Sequence, residues 1–241
     1  LVGDLLVDTG FRHVRRQMLD VLSDSTIAAI CCTHNHEDHT GNCAPLVDRH
    51  RCPAYLRNCE LRWGEGVRRL KPYRSWFWGP PGELEVQEMP EVVEGAERRL
   101  RAIPAPGHSA THVALWEEAS GTVFTGDLFI SPGASAVMTQ ENPYELAASL
   151  RRVAAVQPEL MLTGHGQVLA KPAVALRTKA ERIEAAASRA VELHRSGMAD
   201  RDAVREIFAT GHGRDRMIEV LTQGEFSRAN FVRAAVLHAP V

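Results

Sequence analysis

Between positions 33 and 41 the chain reads Thr33-His34-Asn35-His36-Glu37-Asp38-His39-Thr40-Gly41, which sets four potential metal ligands within six residues. A lone histidine ordinarily has a structural or surface role. Three histidines and an aspartate on one strand-to-helix loop are instead the clustering that a metal site requires. His34 and His36 are two apart, so in extended backbone both imidazoles project to the same side and can bind one ion. Asp38 and His39, where the chain turns toward a helix, would face a neighbouring ion, with Glu37 between them directed away. Three later segments end strands in the same fashion: Pro106-Gly107-His108-Ser109, Thr125-Gly126-Asp127 and Thr163-Gly164-His165-Gly166. Each places a glycine beside one ligand residue, which lets the backbone turn closely there.

The elements that must carry these residues are legible as runs and periodicities. Leu5-Leu6-Val7-Asp8-Thr9-Gly10 is a short apolar run ended by glycine, and Val14, Met18, Val21 and Leu22 follow at helical spacing, giving strand, turn and helix. The apolar run from Ile27 to Cys32 suits a strand buried on both faces and delivers Thr33-His34 to its end. The next helix is expected near Gly41. From Leu70 to Pro90 a loop is expected, because Pro72, Gly79, Pro80, Pro81 and Gly82 interrupt Tyr73, Trp76, Phe77 and Trp78. It reads as a wall of the substrate pocket, with Trp76, Phe77 and Trp78 as candidate substrate contacts. Strands are predicted at Leu100 to Ile103, Val113 to Trp116, Thr122 to Thr125 and Leu160 to Leu162. Asn142-Pro143-Tyr144-Glu145 opens a helix with a capping asparagine and proline at its first position. From Pro172 onward Leu176, Ala180, Ile183, Ala187 and Val191 mark one helical face, Gly197 stops it, and two or three shorter helices follow. A catalytic domain over 1–171 and a helical extension over 172–241 are the expected division.

In this order the segments resemble the signature of the metallo-β-lactamase superfamily: HxHxDH, then a histidine, a bridging aspartate and a final histidine. The resemblance covers about residues 4 to 170. It implies an α/β (α+β) fold, the αββα sandwich of two facing sheets with helices outside, here with a C-terminal helical extension. The site would lie at one edge between the sheets. It also implies a first metal held by His34, His36 and His108 and a second held by Asp38, His39 and His165, with Asp127 bridging them. Asp8 matches the aspartate of the family's early strand motif, which tends to support the site from behind the ligands. The presence of both His39 and Asp127 resembles the glyoxalase II, lactonase and nuclease branches more than true β-lactamases, and His36 stands where flavodiiron oxidoreductases place glutamate. A nitrogen-rich site of this kind suits two zinc ions, with iron or manganese as alternatives.

Two ions about 3.5–4 Å apart can share a water and lower its pKa from about 15.7 toward about 7. The implied nucleophile is that hydroxide, and Asp38 is the candidate catalytic residue that orients it and handles its proton. Hydrolysis of a small ester, thioester or lactone is the leading expectation. Phosphodiester cleavage in RNA or DNA by the same metal pair is the runner-up, and a mononuclear iron sulfur dioxygenase using His34, His36 and His108 is a third reading. The 241 residues carry a formal net charge of −2, which provides no global field for nucleic acid or an anionic membrane. No apolar run reaches membrane-spanning length. The expected partner is therefore a small-molecule substrate, with a homodimer contact as one use of the C-terminal helices. Cys31, Cys32, Cys43, Cys52 and Cys59 lack CxxC spacing and read as reduced, mostly buried thiols of a cytoplasmic protein. The opening Leu1-Val2-Gly3-Asp4 has no methionine and reads as the inside of a strand, so the N-terminal strand is expected to be incomplete. His13, His50, His112, His194, His212 and His238 fall outside the signature, although His112 is near enough to His108 to support it.

Overall fold

The computed structural model describes residues 1–61, 71–80, 85–133, 137–208 and 212–240. Arg68, Arg69, Leu70, Pro81 and Gly82 lie outside the described residues. Side-chain alternation along the strands decides the layering. In β1 (Leu5–Val7) and β2 (Ala29–Cys31), Leu5, Ala29 and Cys31 face one way and pack with Val93, Leu100, Val113 and Leu115. Leu6 and Ile30 face the other way, against Leu22, Cys43 and Leu46. The first sheet adds β3 (Ala54–Leu56) and β4 (Gln87–Glu88) in the order β1-β2-β3-β4, all parallel, with Leu6 opposite Ile30 and Ile30 opposite Ala54.

The second sheet contains β5 (Val92–Glu94), β6 (Arg99–Pro104), β7 (Val113–Glu117), β8 (Thr122–Phe124), β9 (Leu160–Leu162) and β10 (Val168–Ala170). Its order is β10-β9-β8-β7-β6-β5, antiparallel except for the parallel pair β8 and β9. A parallel pair needs a crossover, and α5 (Pro143–Ala155) supplies it. Asn142 caps that helix as its sequence suggests, accepting from the backbone N–H groups of Tyr144 and Glu145. The two sheets thus share one apolar layer, α1 (Arg15–Val21) and α3 (Cys43–His50) cover the outer face of the first, and helices cover the outer face of the second. This is the expected αββα sandwich.

The C-terminal helices are α6 (Ala173–Arg195), α7 (Asp200–Ile207), α8 (His212–Leu221) and α9 (Arg228–Leu237). Leu176, Ala180, Ile183 and Ala187 of α6 and Phe231 of α9 enter the same core as Ile103, Trp116, Leu150 and Met161. Helical extension and second sheet therefore share one apolar interior. No described helix is long and apolar enough to cross a membrane. Cys31, Cys32, Cys43 and Cys52 are free and buried, and Cys59 is partly buried.

Two local expectations need correction. The helix placed near Gly41 begins earlier, as α2 (Glu37–Thr40), with α3 following after a break. His36 is the extended cap residue of α2, and Glu37 and Asp38 occupy its first turn, where the helix dipole favours acidic groups. The aromatic stretch is not a loop throughout: α4 (Pro72–Trp78) carries Tyr73, Trp76, Phe77 and Trp78. Pro72 stands at the first helical position and Gly79, at φ +86°, just past the end, so the two residues that read as loop punctuation are the boundaries of a helix.

Candidate metal centre

Strand β2 ends at Cys31, and the next residues leave the sheet toward its edge. Asp8, just past β1 and in left-handed backbone at φ 55°, accepts from the Thr33 backbone N–H (2.7 Å) and hydroxyl (2.8 Å) and receives His39 Nδ1 at 2.8 Å. One carboxylate thereby fixes the end of β2 and a residue of α2. Thr33 Oγ1 also meets His34 Nδ1 at 3.1 Å, and since the hydroxyl proton goes to Asp8, the imidazole is the donor there. The Nδ1–H groups of His34 and His39 point outward, which leaves both Nε2 lone pairs facing the site. His108 follows the same pattern, with Nδ1 3.4 Å from Glu141 Oε2.

Two groups of inward ligand atoms result. In the first, His34 Nε2 lies 2.9 Å and His108 Nε2 3.1 Å from His36 Nδ1. In the second, His39 Nε2 lies 3.3 Å and His165 Nε2 3.2 Å from Asp127 Oδ1, with Asp38 Oδ2 3.8 and 3.9 Å from the same two nitrogens. Asp127 spans both groups, because its Oδ2 is 3.6 Å from His108 Nε2. All seven residues singled out from the sequence stand together at this edge, Asp127 on the turn after β8 and His165 on the turn after β9. Gly164 must be a glycine: a Cβ there would sit 2.6 Å from the His39 ring and 2.7 Å from Asp127 Oδ1. Gly126, at φ +47°, would likewise collide with Thr33.

The electrostatics fit a cation. Burial holds His34 and His36 well below the ordinary histidine range, so both are neutral and offer lone pairs, the form a metal needs. Burial also opposes charge on His39, but Asp8 and Asp127 outweigh it and hold its pKa well above the usual value. Burial would raise Asp127, yet His165 and His39 keep it well below the usual carboxylate range. His39 Nε2 and Asp127 Oδ1 are nonetheless both buried without a hydrogen-bond partner. An inward lone pair and a carboxylate oxygen 3.3 Å apart repel unless a proton or a metal ion lies between them. These residues fit a metal ion on that ground.

Beside the ligands lies a cavity of about 630 Å³ lined by His108, Asp127, Glu141, Lys179 and an apolar wall that includes Tyr73, Phe77 and Trp78. Of the three aromatic residues singled out from sequence, Phe77 and Trp78 reach this cavity. Trp76 does not: it is 75 % exposed and is not part of the lining. Of the supporting residues, His112 was noted from sequence for its nearness to His108, and others were missed. His112 accepts from the Asp127 backbone N–H at 3.1 Å. Glu37 is directed away from the ligands, as expected, but into a buried pairing with Arg74, whose Nη1 also donates to Glu225 at 2.7 Å. Tyr73 donates to that same Glu225 at 2.9 Å. Lys179 did carry a signal, because it falls on the buried stripe between Leu176 and Ile183, where a lysine is out of place. Burial lowers its pKa to about 8.

Comparison with known proteins shows the family. Residues 3–165 match the family model described as the metallo-beta-lactamase superfamily. The probable metallo-hydrolase YybB of Bacillus subtilis is 31% identical over 133 residues, 52% of this chain and 57% of that protein. A hydroxyacylglutathione hydrolase of Halorhodospira halophila is 30% identical over 138 residues, 54% of this chain and 43% of that one. An atrochrysone carboxyl ACP thioesterase of Aspergillus fumigatus is 28% identical over 169 residues, 68% and 48% of the two chains. The chain spans about half the length of these relatives. The solved structure of TTHA1623 in a di-iron-bound form is 30% identical, with a TM-score of 0.57, and the match covers 72% of this chain and 86% of that one.

Proposed function

The chain belongs to the metallo-beta-lactamase superfamily of hydrolases, and from that premise we propose that it is a binuclear metal-dependent hydrolase of a small ester, thioester or lactone, in the manner of the glyoxalase-II-like branch. The observation that carries this reading is Asp127, whose two oxygens lie 3.6 Å from His108 Nε2 and 3.2–3.3 Å from His165 and His39 Nε2. A carboxylate so placed joins a three-histidine group to a second group of donors. His34, His36 and His108 would hold one ion, Asp38, His39 and His165 the other, and Asp127 both. When bound, the ions supply Lewis acidity and acidify water toward neutral pH.

The chain's own residues supply the rest. Asp38 is largely buried, which raises its pKa and makes its carboxylate a stronger proton acceptor beside the two nitrogens it faces. Asp8, Thr33 and Glu141 keep the imidazoles in the tautomers that face inward. Tyr73, Phe77, Trp78, Ile183 and Phe231 offer the acyl portion an apolar wall and exclude water from it. Zinc is the proposed metal on the chemistry of a nitrogen-rich donor set, with iron as the alternative that the di-iron-bound TTHA1623 supports.

The thioesterase and the hydroxyacylglutathione hydrolase among the relatives support the thioester member of this substrate group. Phosphodiester cleavage is less favoured, because the described cavity lining is largely apolar and holds a single lysine. A nucleic-acid backbone requires several cations along its path. The test is a panel of thioesters, lactones, carboxylic esters and phosphodiesters offered to zinc- and iron-loaded protein. Turnover confined to the carbonyl substrates is the expected result, and turnover confined to phosphodiesters would overturn the reading.

A further inference from the structure

A buried lysine without a counter-charge is costly, so its surroundings must explain it. Lys179 is 5 % exposed, and α6 presents it to the cavity that also receives His108 and Asp127. Its ammonium lies 5.0 Å from the centre of the Phe129 ring, and among the described residues no carboxylate comes within 4.0 Å of it. Glu141 and Asp127 are near enough to be felt electrostatically, but Glu141 already accepts from the Met138 backbone N–H at 2.9 Å and faces His108 Nδ1, and Asp127 faces His39, His108 and His165. The other lining groups are mainly apolar: Tyr73, Phe77, Trp78, Ile183, Leu221 and Phe231. Lys179 also lies beyond residues 3–165, so the family match gives it no role.

We propose that Lys179 is a substrate-binding residue, and that the substrate carries an anionic group, a carboxylate, separated by a short apolar segment from the carbonyl that is cleaved. The proposal rests on the hydrolase reading for its position: one end of the substrate meets the ligand-rich edge, the middle lies on the aromatic wall, and the anion meets the cation that no described carboxylate contacts. A charge-assisted contact in such a dry setting discriminates between an acid and its neutral amide by about tenfold to a hundredfold.

Mercaptoalkanoates and the matching mercaptoalkanamides, in a series from two to six methylenes, test this on metal-loaded protein. The thiolate seeks the metal, and the other end reports on Lys179. Binding measured by calorimetry should favour the acid over the amide by at least about tenfold at one chain length in the wild type. The ratio should fall to near one in Lys179→Met, with metal content unchanged. Equal affinities for acid and amide at every length in the wild type would overturn the proposal without recourse to any variant. Persistence of the full ratio in Lys179→Met would overturn it as well. No turnover is read, so failure of the ester and thioester panel and failure of the acid-to-amide ratio are separate results.

Discussion

Asp127 faces both candidate ligand groups, with Oδ1 beside His39 and His165 and Oδ2 between His165 (3.2 Å) and His108 (3.6 Å), and its Oδ1 is buried without a hydrogen bond. Asp127→Ala should therefore remove metal affinity and activity together while the far-ultraviolet circular dichroism stays that of the wild type, since the residue sits on a turn at the sheet edge. A fully active, fully metallated Asp127→Ala protein would remove the bridging role. Asp8 touches no inward ligand atom but orders His39 and the Thr33 turn. Its replacement by alanine should weaken metal binding by about tenfold to a hundredfold, the usual effect of losing a carboxylate behind a ligating histidine, as read by chelator competition. An affinity unchanged within twofold would show that the histidine orients itself. At this scale the clustering of the candidate ligands was legible from sequence because each signal is local, a histidine or aspartate at a strand end beside a glycine. Glu141 and Arg74 were not, and His112 was noted only for its nearness to His108, because their partners are distant in the chain: Glu37 and Arg74 are 37 positions apart, and Arg74 and Glu225 are 151 apart.

The Glu37–Arg74–Glu225 pairing makes three elements depend on one guanidinium. It ties α2, which carries Asp38 and His39, to the aromatic helix α4 and to the segment before α9. Arg74 and Glu37 are both buried, and Arg74 also lies 5.2 Å from the Trp78 ring. Removing one partner of a buried pair leaves the other charge uncompensated, so Arg74→Ala should cost about 3–5 kcal/mol of stability. Urea denaturation measures this directly, and a loss below about 1 kcal/mol would mean that solvent replaces the pair. The double change Arg74→Met with Glu37→Gln should recover part of the loss, because it removes the more deeply buried of the two stranded carboxylates and leaves the more exposed Glu225. Sequence patterns located β1, β2, β6, β7, β8, β9, α5 and α6 because their periodicity or capping is explicit. They misplaced α2 and α4 for opposite reasons: a four-residue helix has no room for a periodic stripe, and Pro72 and Gly79 mark helix ends as readily as turns. The pairing of strands into two sheets came only from the family signature, because short strands of three residues carry no register information.

For the whole molecule, the C-terminal helices share one interior with the second sheet, and Leu176, Ala180, Ile183 and Phe231 cover Ile103, Trp116 and Leu150. A chain ending before Pro172 would expose that face, and each large apolar side chain uncovered costs about 1.5–3 kcal/mol. Aggregation or loss of cooperative unfolding is the expected outcome on size-exclusion chromatography and thermal scans. A soluble, fully metallated truncated monomer would show that residues 172–241 are dispensable to the fold. The two ligand groups joined by Asp127 also set the expected composition of the intact protein. The most direct measurement is titration of chelator-treated protein with zinc, followed by elemental analysis after dialysis and by thioester turnover at each step. Two ions retained per chain, with turnover rising until the second is bound and the second lost in His165→Ala, is the expected result. One ion per chain at saturation, with full turnover and no effect of His165→Ala, would contradict the two-metal hydrolase.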